Sequence, residues 1–215
     1  MIRVLIADDH ALVRDGLRHI LSKNGRFEIV GDAADGPATL ALARAHPADV
    51  LVLDLSMPGR NGLEMIKQLK DEHPHLKILV LTMHAEQQYA KRAFSAGAAG
   101  YLTKEAAREE LVAAVARVAG GGVYVSTAMA ERLARDLSAP ATTRPHERLS
   151  DREFDVLRKI VAGDSVNSIA QQLSISAKTV STYKARILEK MQMQSDAMLV
   201  RYAVEHKLFD DNGIG

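Results

Sequence analysis

The hydrophobic rhythm of this chain changes once. Up to about residue 125, short apolar runs alternate with amphipathic stretches, and beyond about 147 the apolar positions fall only at helical spacing. In the first region, runs at 2–7, about 28–33, 50–54, 78–82 and 99–102 read as strands. Unbroken apolar runs of this length suit strands buried on both faces. The stretches between them are helical, with Leu12, Leu17, Ile20 and Leu21 on one stripe and Leu63, Ile66 and Leu69 on another. Gly36-Pro37, Pro47, Pro58-Gly59, Pro74 and Gly97 punctuate the boundaries. Alternating βα units predict a parallel sheet with helices on both faces. A last helix, about 106–119, runs into the helix stop Gly120-Gly121-Gly122.

A short helix is expected at about 127–137, followed by residues 138–146, whose two prolines and lack of apolar periodicity mark a linker. Four helices follow. Ser150 and Glu153 form a capping box for the first, whose stripe is Val156, Leu157, Ile160 and Val161 and whose stop is Gly163. The second spans about 166–173, the third 177–191 after the turn Ser174-Ile175-Ser176, and Ser195 caps the fourth. Two helices across a short turn, the second bearing exposed basic and hydroxyl residues, predict a helix-turn-helix.

Composition narrows this picture only slightly. The chain has 215 residues, enough for one large or two small domains, and 47% are hydrophobic. Aromatics make up 4%, so Ala, Leu, Val and Ile must fill the cores. With no Cys there is neither a disulfide nor a thiolate metal site. Pure apolar runs of four residues fall far short of the ~20 that span a bilayer. The N-terminus enters a strand at once, without a charged-then-apolar signal region. The expectation is a soluble, cytoplasmic protein without a membrane partner. Net charge is +1 and says nothing for or against nucleic acid, but residues 178–190 hold four basic side chains against one acid. A nucleic-acid role therefore has to rest on that segment.

The candidate chemistry sits at strand ends. Asp8 and Asp9 follow the first strand, Asp54 ends the third, Thr82 ends the fourth, and Lys104 follows the fifth. In an open parallel sheet, the C-terminal strand ends converge on one ligand-binding crevice. Clustered carboxylates are unfavourable unless a cation or proton intervenes. Mg2+ fits, because it takes oxygen ligands from one or two carboxylates and keeps waters. Asp8, Asp9, Asp54 and the Ser56 carbonyl are its candidate ligands. Asp54, central in the sheet, is the candidate nucleophile toward a phosphoryl group. Lys104 would neutralise the transferred oxygens, and Thr82 Oγ would bond one of them.

These residues carry a resemblance. Leu5-Ile6-Ala7-Asp8-Asp9-His10, Asp54-Leu55-Ser56-Met57-Pro58 with Gly62 eight residues after the acid, Leu81-Thr82-Met83, and Gly97 to Lys104 resemble a two-component receiver domain. The resemblance implies a flavodoxin-like fold with a five-stranded parallel sheet of order 2-1-3-4-5. It implies a phosphoacceptor at Asp54, served by a sensor histidine kinase. Mg2+ would be held by Asp9, Asp54 and the Ser56 carbonyl, with Asp8 acting through water. Thr82 and Tyr101 would form the switch pair, and Lys104 would pair with the phosphate. Glu105 stands where many receivers have proline.

Leu149-Ser150-x-Arg152-Glu153, Ile169-Ala170-x-x-Leu173 and Ser176-x-Lys178-Thr179-Val180 resemble the LuxR-type DNA-binding domain of NarL/FixJ regulators, over about 147–209. The resemblance implies an all-α four-helix domain whose third helix enters the major groove of double-stranded promoter DNA. Its candidate contacts are Lys178, Thr179, Ser181, Thr182, Lys184, Arg186 and Lys190. Ser181 and Tyr183 replace the Lys and His that the family often has there. Four phosphate contacts per protomer would give a log K–log salt slope of about −3.6. The family favours homodimers on two half-sites, with the fourth helix as the dimer face of the DNA domain.

The expected organisation is a receiver at 1–122, a short helix and linker at 123–146, and the helix-turn-helix domain at 147–215. The expected function is a response-regulator transcription factor rather than an enzyme. The rival enzyme reading, a haloacid-dehalogenase phosphatase, needs a second acid two residues after the nucleophile, where Ser56 stands.

Overall fold

A computed structural model describes residues 1–57, 61–83, 87–137 and 144–209. Pro58-Gly59 and residues 138–143 of the expected linker lie outside the described residues. The chain forms two compact units, Met1–Asp136 and Leu137–Gly215.

In the first unit, strands β1 (Ile2–Ala7), β2 (Phe27–Ala33), β3 (Val50–Asp54), β4 (Lys77–Thr82) and β5 (Gly100–Thr103) alternate with helices. The helices are α1 (Ala11–Ser22), α2 (Gly36–Ala45), α3 (Gly62–Glu72), α4 (Gln87–Ser95) and α5 (Ala107–Ala119). All pairings are parallel, in the order β2-β1-β3-β4-β5-β6. The sheet has six strands among the described residues, not the expected five. The sixth, β6 (Tyr124–Val125), is only two residues long and joins the β5 edge, with Gly100 opposite Tyr124. It forms because the chain leaves α5 through Gly121, at φ +82°, and is turned back along the sheet edge. The Tyr124 hydroxyl then donates to Glu110 on α5 at 2.8 Å. Helix α6 (Thr127–Leu137) follows.

Strand alternation sets the two faces. Val4, Ile6, Val50, Val52, Leu79, Leu81 and Leu102 pack on one side with Leu17 and Leu21 of α1 and Leu111, Val115 and Val118 of α5. The intervening Leu5, Leu51, Leu53, Ile78 and Val80 are equally buried. They face the other way, where right-handed crossovers carry α2, α3 and α4. Burial on both faces is why these strands read as unbroken apolar runs.

In the second unit a 3-10 turn (Pro145–Arg148) precedes α7 (Asp151–Val161), α8 (Val166–Gln172), α9 (Ala177–Met191) and α10 (Asp196–Glu205). Each helix starts on a serine cap. Ser150, Ser165, Ser176 and Ser195 accept the N–H of Glu153, Ser168, Thr179 and Met198 respectively. The capping box of α7 is complete, with Glu153 Oε2 accepting the Ser150 N–H at 2.7 Å. The turn between α8 and α9 places Ser174 at φ 53°, a left-handed position that costs a non-glycine residue energy. Arg152 of α7 steadies that turn by donating to the Leu173 carbonyl at 2.7 Å. Phe154, Leu157, Ile169, Val180, Ile187 and Leu199 form the core.

Candidate phosphoacceptor site and nucleic-acid interface

The sheet register brings the first site together. Ala7 pairs with Leu53, and Asp54 with Leu81, so Asp8 emerges beside Asp54 at the C-terminal edge. Thr82 pairs with Thr103, and the Lys104 N–H donates to the Thr82 carbonyl at 2.8 Å. That bond fixes where the Lys104 side chain starts. Its Nζ lies 2.7 Å from Asp54 Oδ2 and 2.7 Å from Asp8 Oδ2. Both carboxylates are buried, while Asp9 is part-exposed. The Ser56 N–H donates to Asp54 Oδ1 at 2.9 Å, which turns the backbone at Leu55 and Ser56 around the acid. Gly62 lets that backbone pack close, because a Cβ there would lie 2.8 Å from the Leu55 Cα.

Electrostatics follow from this packing. Burial pushes the Asp54 carboxyl above its ordinary value, against the Lys104 and Ser56 hydrogen bonds. Burial pulls the Lys104 ammonium down, but hydrogen bonds and charge from Asp54 and Asp8 outweigh it and hold it above its ordinary value. Two buried carboxylates thus meet at one ammonium.

The residues present fit a divalent cation. Asp8, Asp9, His10 and Asp54 each offer a ligand atom, all within 4.8 Å of one another. Asp9 Oδ1 is buried and, among the described residues, accepts no hydrogen bond, although His10 Nδ1 is 2.8 Å away. Ser56 is exposed, two residues after Asp54. Thr82 and Tyr101 are both buried, Tyr101 among the largest enclosed side chains. Two participants escaped the sequence reading. His10 directly follows the acid pair, and that adjacency was the available signal. Arg14 donates to the Asp8 carbonyl at 2.7 Å and pairs with Asp32 at 2.9 Å, bracing the β1 end from α1.

On α9, Val180, Ile187 and Met191 are buried and define the inner face. At 100° per residue, Lys178, Ser181, Thr182, Ala185, Arg186 and Glu189 occupy the opposite face, and all are exposed. Ala185 and Glu189, not among the expected contacts, share this exposed face, as the spacing 178, 182, 185, 189 places them. Thr179 is held in the helix start, its hydroxyl 2.8 Å from Ser176 Oγ. The Ser181 and Thr182 hydroxyls donate to the Ala177 and Lys178 carbonyls at 3.0 Å. Lys184, one turn on from buried Val180, pairs with Asp196 at 2.5 Å, and Lys190 pairs with Glu153 at 2.6 Å.

A buried acid–lysine centre on a doubly wound sheet, joined in one chain to a helix-turn-helix unit, defines a signal-receiving DNA-binding protein. Known sequences agree. Residues 4–116 match the response regulator receiver domain, and residues 147–203 match the bacterial regulatory proteins of the luxR family. Response regulator UvrY of Escherichia coli (strain K12) is 38% identical over 209 residues, covering 97% of this chain and 96% of that protein. Response regulator GacA of Pseudomonas aeruginosa is 40% identical over 211 residues, covering 98% and 99%. RcsB from Salmonella enterica serovar Typhimurium, solved bound to a promoter in the presence of phosphomimetic BeF3-, superimposes with a TM-score of 0.68 at 32% identity, covering 95% and 98%. The chain belongs to the two-component response regulators that join a receiver domain to a LuxR-type DNA-binding domain. It is a transcription regulator of that family, and among its described residues no helix is long and apolar enough to cross a membrane.

Proposed function

We propose that a sensor histidine kinase phosphorylates Asp54 and that the aspartyl phosphate controls promoter binding by α9. The observation that carries this reading is the Lys104 ammonium, 2.7 Å from both buried carboxylates at the sheet's C-terminal edge. An Asp54 oxygen attacks phosphorus, the bond to the kinase imidazole breaks, and the imidazole leaves with its electron pair. Lys104 then faces the new phosphate and offsets its charge. Mg2+ supplies further charge neutralisation when bound; Asp9, Asp54 and the Ser56 carbonyl would hold it, with Asp8 through water.

The phosphate adds charge and acceptor oxygens where Thr82 ends β4. Thr82 shifts toward it, and Tyr101 takes the space released. This biases an equilibrium between two packings of the receiver. Residues 123–146 connect the receiver to the DNA-binding domain at 147–215, and the protein works in the cytoplasm. The promoter-bound RcsB structure and the structure of two RcsB dimers bound to two parallel DNAs support a homodimer on double-stranded DNA.

Phosphate-affinity electrophoresis after acetyl phosphate or kinase treatment tests the acceptor. Wild type should shift and Asp54→Asn should not; an equal shift in both would assign the phosphate elsewhere.

A further inference from the structure

Four basic side chains on α9 were expected to touch DNA phosphates. The structure separates them by what they already hold. Lys178 and Arg186 stand on the exposed face, opposite Val180 and Ile187. Lys184 pairs with Asp196, whose side chain is 46% exposed. Such a part-exposed pair contributes little to stability. Lys190 is different, because its partner Glu153 is only 3% exposed. Glu153 Oε2 accepts both Lys190 Nζ at 2.6 Å and the Ser150 N–H at 2.7 Å.

Moving Lys190 to a phosphate would strand an ionised carboxylate inside the domain, the costly case for a buried charge. Burial raises the Glu153 carboxyl, yet Lys190 and Ser150 outweigh it and hold the group below its ordinary value, so it stays charged at neutral pH.

We propose that Lys190 is a positioning residue that fixes the C-terminal turn of α9 against the start of α7 through Glu153, and does not contact DNA. The inference rests on the reading of α9 as the DNA-reading helix. Lys190 and Glu153 are 37 residues apart, and the pair joins the start of the domain to its reading helix. Losing it changes how α9 is presented, not how many charges meet the groove.

Salt dependence separates the two roles. The probe is a duplex enriched from a random-sequence library by the full-length wild-type chain, and affinity is followed by anisotropy over a range of salt. Each lost phosphate contact flattens the log K–log salt slope by about 0.9 per protomer. Lys178→Met should show that flattening. Lys190→Met should keep the wild-type slope, weaken binding about tenfold at every salt (1.4 kcal/mol per decade) and lower the unfolding midpoint. Lys190→Arg should restore both. Glu153→Gln should weaken binding too, although removing an acid beside DNA would by charge alone strengthen it. A Lys190→Met slope flattened by about 0.9 with an unchanged midpoint, or tighter binding by folded Glu153→Gln, would overturn the inference. Failure of wild type to enrich or bind any duplex would overturn the DNA-binding reading along with it.

Discussion

Lys104 Nζ donates to Asp54 Oδ2 at 2.7 Å, so the cation that would meet a phosphate is already seated on the acceptor. The same ammonium touches Asp8 at 2.7 Å. Removing it leaves two buried acids facing each other. Lys104→Met should therefore destabilise the protein by about 3 kcal/mol, the lower end for a broken buried pair because the lysine is 11% exposed. Urea unfolding of both proteins measures this. Added Mg2+ should recover part of the loss in Lys104→Met by supplying the missing positive charge.

Gly62 packs against the backbone of Leu55, the residue after the acceptor. A Cβ there would stand 2.8 Å from backbone at Leu55, which cannot give way as a side-chain tip would. Gly62→Ala should cost about 1–3 kcal/mol, as overpacking does, and should slow phosphorylation by acetyl phosphate. Unchanged stability and rate would mean the Leu55 backbone relaxes freely.

The Glu153 carboxyl gives the DNA-binding domain a pH signature. Its folded pKa lies below the ordinary value of 4.5, because Lys190 and Ser150 outweigh the upward push of burial. A depressed acid contributes stability above its unfolded pKa and loses it as pH falls through the folded one. Glu153→Gln should cost about 2 kcal/mol at pH 7, in the range for a hydrogen bond to a charged group. The wild-type advantage should shrink below pH 4.5. Denaturant midpoints between pH 3 and 7 test the sign, and a gap that widens on acidification would contradict it.

Tyr124 supplies the opposite sign at the sheet edge. Burial and the Glu110 carboxylate push its hydroxyl up to about 12. Its bond to Glu110 is therefore present below the ordinary value of 10.0 and lost as pH rises through about 12. Tyr124→Phe should cost about 0.5 kcal/mol, the low end for a part-buried hydrogen bond. The difference should hold from neutrality to pH 10 in chemical denaturation, then fall.

The sequence made legible whatever depends on periodicity or on residue type at a strand end. Apolar runs disclosed β1 to β5, and Asp8, Asp9, Asp54, Thr82 and Lys104 were placed because each adjoins one of those runs. Ser150, Glu153 and Ser195 were readable because capping acts over three residues. Strand β6 was missed because two residues carry no period; its position depends on a glycine turn and the Tyr124–Glu110 bond. The pairing of Lys190 with Glu153 was beyond reach for a different reason. Its partners meet only through the packing of α7 on α9, so Lys190 read as one more cation on a basic helix.

If phosphate on Asp54 controls the DNA-binding domain, loading the receiver must change DNA affinity. This is tested most directly by anisotropy of the full chain on its enriched duplex, with and without acetyl phosphate and Mg2+, for wild type and Asp54→Asn. Wild type should change affinity by about 5- to 150-fold, the usual span of coupling between two sites, and Asp54→Asn should not change. An equal response in both proteins, or no response in a wild type shown to be phosphorylated, would contradict it.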